Sequence, residues 1–221
     1  MKYVVLFDVD GTLMEESPTH TMAFDYVCDE FFHVKTDIKS FPRQGMTDQG
    51  ILFGILQNSG IDYDTIKSRI NELLIELGDY TIKNMIEDDY VLLPYVEETL
   101  EEMEKNNFIL GLITGNFSKI ALERVSKAGI GNYFSFGGYG EDSAIRSELV
   151  QKAIERSKLN PNLNNVFVIG DTPKDIKSGK DVGTKTVGVA TGVYGIKQLQ
   201  DADFSIKNLK QYKKLIEFIK K

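Results

Sequence analysis

The sequence predicts an α/β protein: a doubly wound parallel sheet with a block of helices inserted after its first strand. Three observations point there. Short apolar, β-branched runs recur between longer helical patterns over the second half of the chain. Several of those runs are apolar on both faces, as strands covered by helices on either side must be. And residues 15–89 break the alternation, with helical periodicity and no convincing strand.

Taken in order, the run at 3–7 reads as the first strand, ending in a carboxylate pair. Helical patterns follow at 19–32, 48–59, 65–77 and 80–86. Asn58-Ser59-Gly60 reads as a helix stop, and Asp62 or Asp64 as the cap of the next helix. From residue 94 the alternation resumes. Strands are expected at 108–114, 133–136, 166–170 and 186–190, with a weaker one at 203–206. Helices are expected at 94–106, 118–128, 145–158, 172–182 and 209–219, the last an amphipathic closing helix. The expected division is a core of residues 1–14 and 91–221 and a helical cap of residues 15–90, with hinges near 14–17 and 90–94.

The bulk properties narrow the function. The chain has 221 residues, enough to bury a sizeable core without disulfides or a structural metal. A net charge of −7 argues against a nucleic-acid binder and against docking on anionic lipid. The lone cysteine, Cys28, lies in an apolar helical stretch and reads as a small buried hydrophobe. The first apolar run is too short for a signal segment or a membrane span, so a cytoplasmic location is expected.

Asp8-Val9-Asp10-Gly11-Thr12-Leu13 follows the first strand directly. Ligands of open α/β sheets bind beyond the carboxyl ends of the strands, so both carboxylates fall where chemistry is expected. Two close carboxylates repel; a cation between them, or a proton on one, relieves it. A phosphate brought to a bare carboxylate is repelled by about 4 kcal/mol per charge pair at roughly 4 Å and an effective dielectric of about 20. Further along, Thr114-Gly115-Asn116 closes the second strand and opens a helix, where a hydroxyl and backbone amides make an anion site. Gly170-Asp171-Thr172-Pro173-Lys174-Asp175 reads strand, turn, helix. Asp171 is a candidate metal ligand there, with Asp175 one helical turn on; the competing use of Asp171 or Thr172 is N-capping.

Together these segments resemble the haloacid dehalogenase superfamily. Asp8–Leu13 is similar to its first motif, Thr114-Gly115-Asn116 to its second, and Gly170–Asp175 to its fourth. The resemblance implies a Rossmannoid core with an inserted helical cap, and a magnesium-dependent phosphatase acting on a small phosphorylated metabolite. It implies Asp8 as nucleophile and Asp10 as acid and base. Magnesium would be held by Asp8, the Asp10 carbonyl and Asp171, with Asp175 ligating it or holding its water. Thr114, Gly115 and Asn116 would bind the phosphoryl group. The family usually carries a lysine about two dozen residues before the metal-binding aspartate; here that position is Arg146, with Lys152 as rival. Arginine keeps the charge and can grip carboxylate or phosphate in two places. In the helical block, Gly45-Met46-Thr47-Asp48 resembles a cap element of the phosphoglycolate phosphatase-like branch. Arg43 and Thr47 are its candidate substrate contacts, with capping of the next helix as the alternative for Thr47 or Asp48. His20 and His33 have no metal-ligand spacing and read as surface or satisfied core residues.

Two other functions compete. A phosphomutase of the β-phosphoglucomutase type would use the same residues. A receiver-like phospho-accepting domain would share the acidic cluster, but it has no use for a long cap or for Asp10. A dehalogenase likewise has no use for Asp10.

Overall fold

The computed structural model describes residues 2–221. Six strands form one parallel sheet: β1 (Val4–Phe7), β2 (Ile109–Ile113), β3 (Phe134–Gly138), β4 (Val166–Gly170), β5 (Lys185–Val189) and β6 (Phe204–Ile206). Their spatial order is β3-β2-β1-β4-β5-β6. The chain builds outward from β1 in one direction, then returns to its other side. β1 pairs with β2 and with β4 in the same register, Val4 lying opposite both Ile109 and Val166. The order reverses at β1, which is where such sheets open a crevice.

Alternation along the strands divides the core between two faces. Val5 and Phe7 join the cluster formed with α4 (Val96–Lys105), α5 (Ser118–Lys127) and α8 (Tyr212–Ile219). Val4 and Leu6 face the other way, against Val150 and Ala153 of α6 (Arg146–Ser157). α7 (Pro173–Val182) covers the same side, with Pro173 in its first turn, where the missing N–H costs nothing.

Between β1 and α4 run α1 (Pro18–Phe32), α2 (Asp48–Asn58) and α3 (Tyr63–Asn84). Ser17, Thr47 and Asp62 cap their N-termini through side-chain oxygens. These helices bury a cluster of their own, including Phe24, Val27, Leu52, Leu56, Leu73 and Leu77, to which α5 contributes Ile120. The chain passes into and out of this block along two adjacent strands of backbone. Glu15 N donates to Val91 O at 3.0 Å, and Leu93 N to Leu13 O at 3.0 Å.

One expectation is corrected. The segments 65–77 and 80–86 are not two helices: α3 runs unbroken through Gly78. Glycine disfavours a helix interior, but here a Cβ would lie 2.9 Å from Phe117 Cδ1. Gly78 lets α3 approach the core loop rather than ending the helix. The closing helix also starts late, since Leu209–Gln211 form a 3₁₀ turn before α8. No helix among the described residues is long and apolar enough to cross a membrane.

Candidate active site

Asp8, Thr114 and Asp171 are each the first residue past a strand, β1, β2 and β4 respectively. Those strands are neighbours in the sheet, β1 lying between the other two, so residues 57 to 163 positions apart in the sequence arrive side by side. All three are buried, and they line one cavity of about 400 Å³ between the sheet's carboxyl edge and helices α1 and α2. Asp8, Asp171 and Asp175 offer oxygen atoms within 4.8 Å of one another. Gly11 takes the turn with φ of +74°, and Thr12 Oγ1 lies 3.4 Å from Asp171 Oδ1.

Thr172 supplies the N-cap of α7, and Asp175 Oδ2 accepts from Thr172 N at 3.0 Å and Thr172 Oγ1 at 2.7 Å. That capping box uses one oxygen of Asp175 and leaves Asp171 free for the cluster. Arg146, the first residue of α6, has its side chain only 9% exposed and donates from Nη2 to Asp8 Oδ1 at 2.7 Å. The same nitrogen forms an ion pair with Asp175 Oδ1. That ion pair aside, buried Asp175 Oδ1 has no hydrogen-bond partner, and neither has Arg146 Nε. Lys152 instead pairs with Glu155 on the exposed face of α6.

The electrostatics follow from this crowding. Burial pushes the Asp8 carboxyl well above its ordinary value; Arg146 opposes that, and Asp175, Asp171 and Asp10 add to it. Asp171 is pushed up to about 7 by burial and then by Asp175, again against Arg146. Three buried carboxylates facing one cation leave excess negative charge. Three clustered carboxylates, all hard oxygen donors, suit a divalent ion such as magnesium.

Asp10 is held apart from the trio. Its Oδ2 accepts from Asn116 Nδ2 at 2.7 Å and its Oδ1 from Arg124 Nη1 at 2.5 Å. Burial raises the Asp10 carboxyl, but Arg124, His20 and the two hydrogen bonds together outweigh it and hold the group below its ordinary value. Thr114 Oγ1 accepts from Asn116 N at 3.1 Å, which shapes the loop after β2.

From the helical block, Arg43 lines the cavity and donates to Glu16 Oε2 at 2.7 Å. Thr47 is not brought into that cavity: its hydroxyl accepts from Gly50 N at 3.1 Å as the α2 cap. The hydroxyl expected to contact substrate thus serves as the cap of α2. Gly115 meets the same loop. Asp48 N donates to Gly115 O at 2.8 Å, and a Cβ on Gly115 would lie 2.1 Å from Met46 O.

His20, expected as a surface or satisfied core residue, is buried in the cavity wall, its Nε2 3.1 Å from Asp48 Oδ2, and the same oxygen accepts from Phe117 N at 2.7 Å. One feature escaped the sequence. Arg124, on an amphipathic helix beside Glu123, carries no local sign that it is completely buried.

A profile for haloacid dehalogenase-like hydrolases matches residues 5–189. The chain belongs to that family. A pyrophosphatase PpaX from Bacillus pumilus is 26% identical over 93% of this chain and 92% of its own length. A phosphoglycolate phosphatase from Vibrio parahaemolyticus is 25% identical over 86% of this chain and 84% of its own. Among solved structures, a β-phosphoglucomutase from Clostridium difficile superposes with a TM-score of 0.79 at 21% identity, covering 100% of this chain and 98% of that one. The hydrolase thus shares its whole architecture with proteins of more than one named activity.

Proposed function

We propose that this hydrolase is a magnesium-dependent phosphatase that cleaves a small phosphomonoester, of the phosphoglycolate or sugar phosphate type, through an aspartyl-phosphate on Asp8. One observation carries the reading: Asp8 and Asp171 line one cavity with Arg146, Asp175 offers an oxygen within 4.8 Å of both, and Asp10 is held separately at the cavity's side.

In this reading Asp8 attacks phosphorus and the leaving oxygen departs with a proton from Asp10. Water then attacks the aspartyl-phosphate as Asp10 takes the proton back. Arg146, Thr114 and the backbone amides after Asp8 stabilise the phosphoryl oxygens, with Gly115 and Asn116 shaping the loop beside them. Magnesium held by Asp8, the Asp10 carbonyl and Asp171, with Asp175 beside it, supplies the positive charge that lets a phosphate approach a carboxylate. In the free protein Asp10 is ionised, which suits the second step; the charge of an arriving phosphoryl group raises its proton affinity for the first. Residues 15–90 act as a cap hinged at the paired segments beside Met14 and Leu92, excluding bulk water and sensing the leaving group through Arg43.

The test is phosphate release from a phosphomonoester panel with magnesium, by the native chain and by Asp8→Asn. The variant should keep its circular dichroism spectrum and lose turnover. Substantial release by folded Asp8→Asn removes Asp8 from the role. A phosphomutase of the β-phosphoglucomutase type is supported by the fold likeness; it requires a bisphosphate activator and gives no net phosphate.

A further inference from the structure

Arg124 is the largest fully buried side chain among the described residues. A guanidinium out of water is costly unless its donors are met, so its partners show what it is there to hold. They come from three parts of the chain. Nη1 donates to Asp10 Oδ1 at 2.5 Å, Nη2 to Glu15 O at 2.6 Å, and Nε to Asp89 O at 3.0 Å. Nη1 also lies 3.4 Å from Asn116 Oδ1, while Asn116 Nδ2 donates to the other oxygen of Asp10. Arg124, Asn116 and Asp10 thereby close a triangle that sets the plane of the Asp10 carboxylate.

The two carbonyls are not arbitrary neighbours. Glu15 belongs to the segment leading from the core into α1, and Asp89 to the segment returning from α3. Those segments are hydrogen-bonded to each other through Glu15 N and Val91 O. Asp89 is anchored to the helical block in turn, its carboxylate accepting from Thr19 N at 3.0 Å, Ile86 N at 2.7 Å and Ser17 Oγ at 2.5 Å. A rigid planar fork joins Asp10 to both points at which the helical block meets the core.

We propose that Arg124 is a positioning residue for the reaction: one buried guanidinium orients Asp10 and ties that orientation to the two chain segments carrying the cap. The inference rests on Asp10 acting as acid and base. Lysine at this position keeps the charge but cannot reach the acid and both carbonyls in one plane.

Two substrates separate positioning from mere support. An alkyl phosphomonoester needs a proton from Asp10 to lose its alkoxide; p-nitrophenyl phosphate does not. Arg124→Lys is expected to lower kcat/KM roughly 10- to 100-fold for the alkyl ester and less than about 3-fold for the aryl ester. In an Asp10→Asn background the same change should cost less than about 2-fold, because the residue it positions is already gone. Equal losses on the two esters, or losses that multiply in the double variant, overturn the proposal. An Asp10→Asn protein as active as the native one on the alkyl ester instead removes the acid/base reading of Asp10, a separate outcome.

Should Arg124→Lys fail to fold, hydrogen exchange in native and Asp10→Asn proteins gives the same decision. Losing the Asp10 charge should loosen Arg124 and speed exchange at the Glu15 and Leu93 amides severalfold relative to the β4 amides. Unchanged protection there overturns the coupling.

Discussion

Stripping the divalent ion should make the folded protein less stable as pH rises, and Asp171 sets the scale. Burial and the neighbouring Asp175 carry its carboxyl from an ordinary 3.8 to about 7. An unfolded chain releases that proton near the ordinary value, so between the two values the folded state holds a proton that the unfolded state has lost. Stability therefore falls with rising pH: the penalty is absent below about pH 4 and complete above about pH 7. At about 1.36 kcal/mol per pH unit, Asp171 alone accounts for about 4 kcal/mol. Asp8, raised by the same kind of crowding, acts in the same direction. Asp89 and Asp203 are held below their ordinary values and act oppositely, losing their stabilisation as pH falls. The clean comparison is therefore with Asp171→Asn. In EDTA, the variant's melting midpoint should gain on the native protein between pH 5 and 7.5, where about 2.5 kcal/mol of the penalty accrues, by about 5–10 °C at 2–4 °C per kcal/mol for a chain of this size. Magnesium should raise the native midpoint more at pH 7.5 than at pH 5, since it replaces the proton. Scanning calorimetry or dye-based melting reads both. Parallel midpoint curves for the two proteins in EDTA would refute the electrostatic account of the trio.

Other outcomes test neighbouring parts of the account. Arg146→Met strands Asp8 and Asp175 without their cation; it should cost about 3–5 kcal/mol in the metal-free protein and cut phosphate release by roughly 100-fold or more. Lys152→Ala, changed on the exposed face, should leave the melting midpoint and turnover unchanged, and a large loss there would reverse the assignment. Gly78→Leu should destabilise by about 1–3 kcal/mol in denaturant titrations by pressing on Phe117, despite leucine's better helix propensity. Arg43→Ala should raise KM by roughly tenfold for substrates with an anionic leaving group, with kcat little changed.

Much of the sheet was legible because its strands are buried on both faces. Val4–Phe7 and Val166–Gly170 are continuous apolar runs, and few other uses for such runs exist in a chain alternating with helical periods. Asp8, Thr114 and Asp171 were legible for a related reason: each follows its strand immediately, so local order in the sequence carries their position in space. The segments 65–77 and 80–86 were divided because a glycine between them weakens the local helical signal, whereas the contact that Gly78 allows lies 39 residues away at Phe117. Arg124 was invisible for the same reason in stronger form. Its acid partner is 114 residues distant, and nothing in its own helix distinguishes it from a solvated arginine. Thr47 offered two uses from sequence, and its capping of α2 is the one visible in the protein alone.

The paired backbone at Leu13–Glu15 and Val91–Leu93 has an architectural consequence. Because the outgoing and returning peptides lie side by side, the chain enters and leaves the helical block through a single doorway. A short turn joining the two would leave the order and register of all six strands intact. Changing what the catalyst accepts then requires only a different lodger behind that doorway, with the floor beneath left as it is.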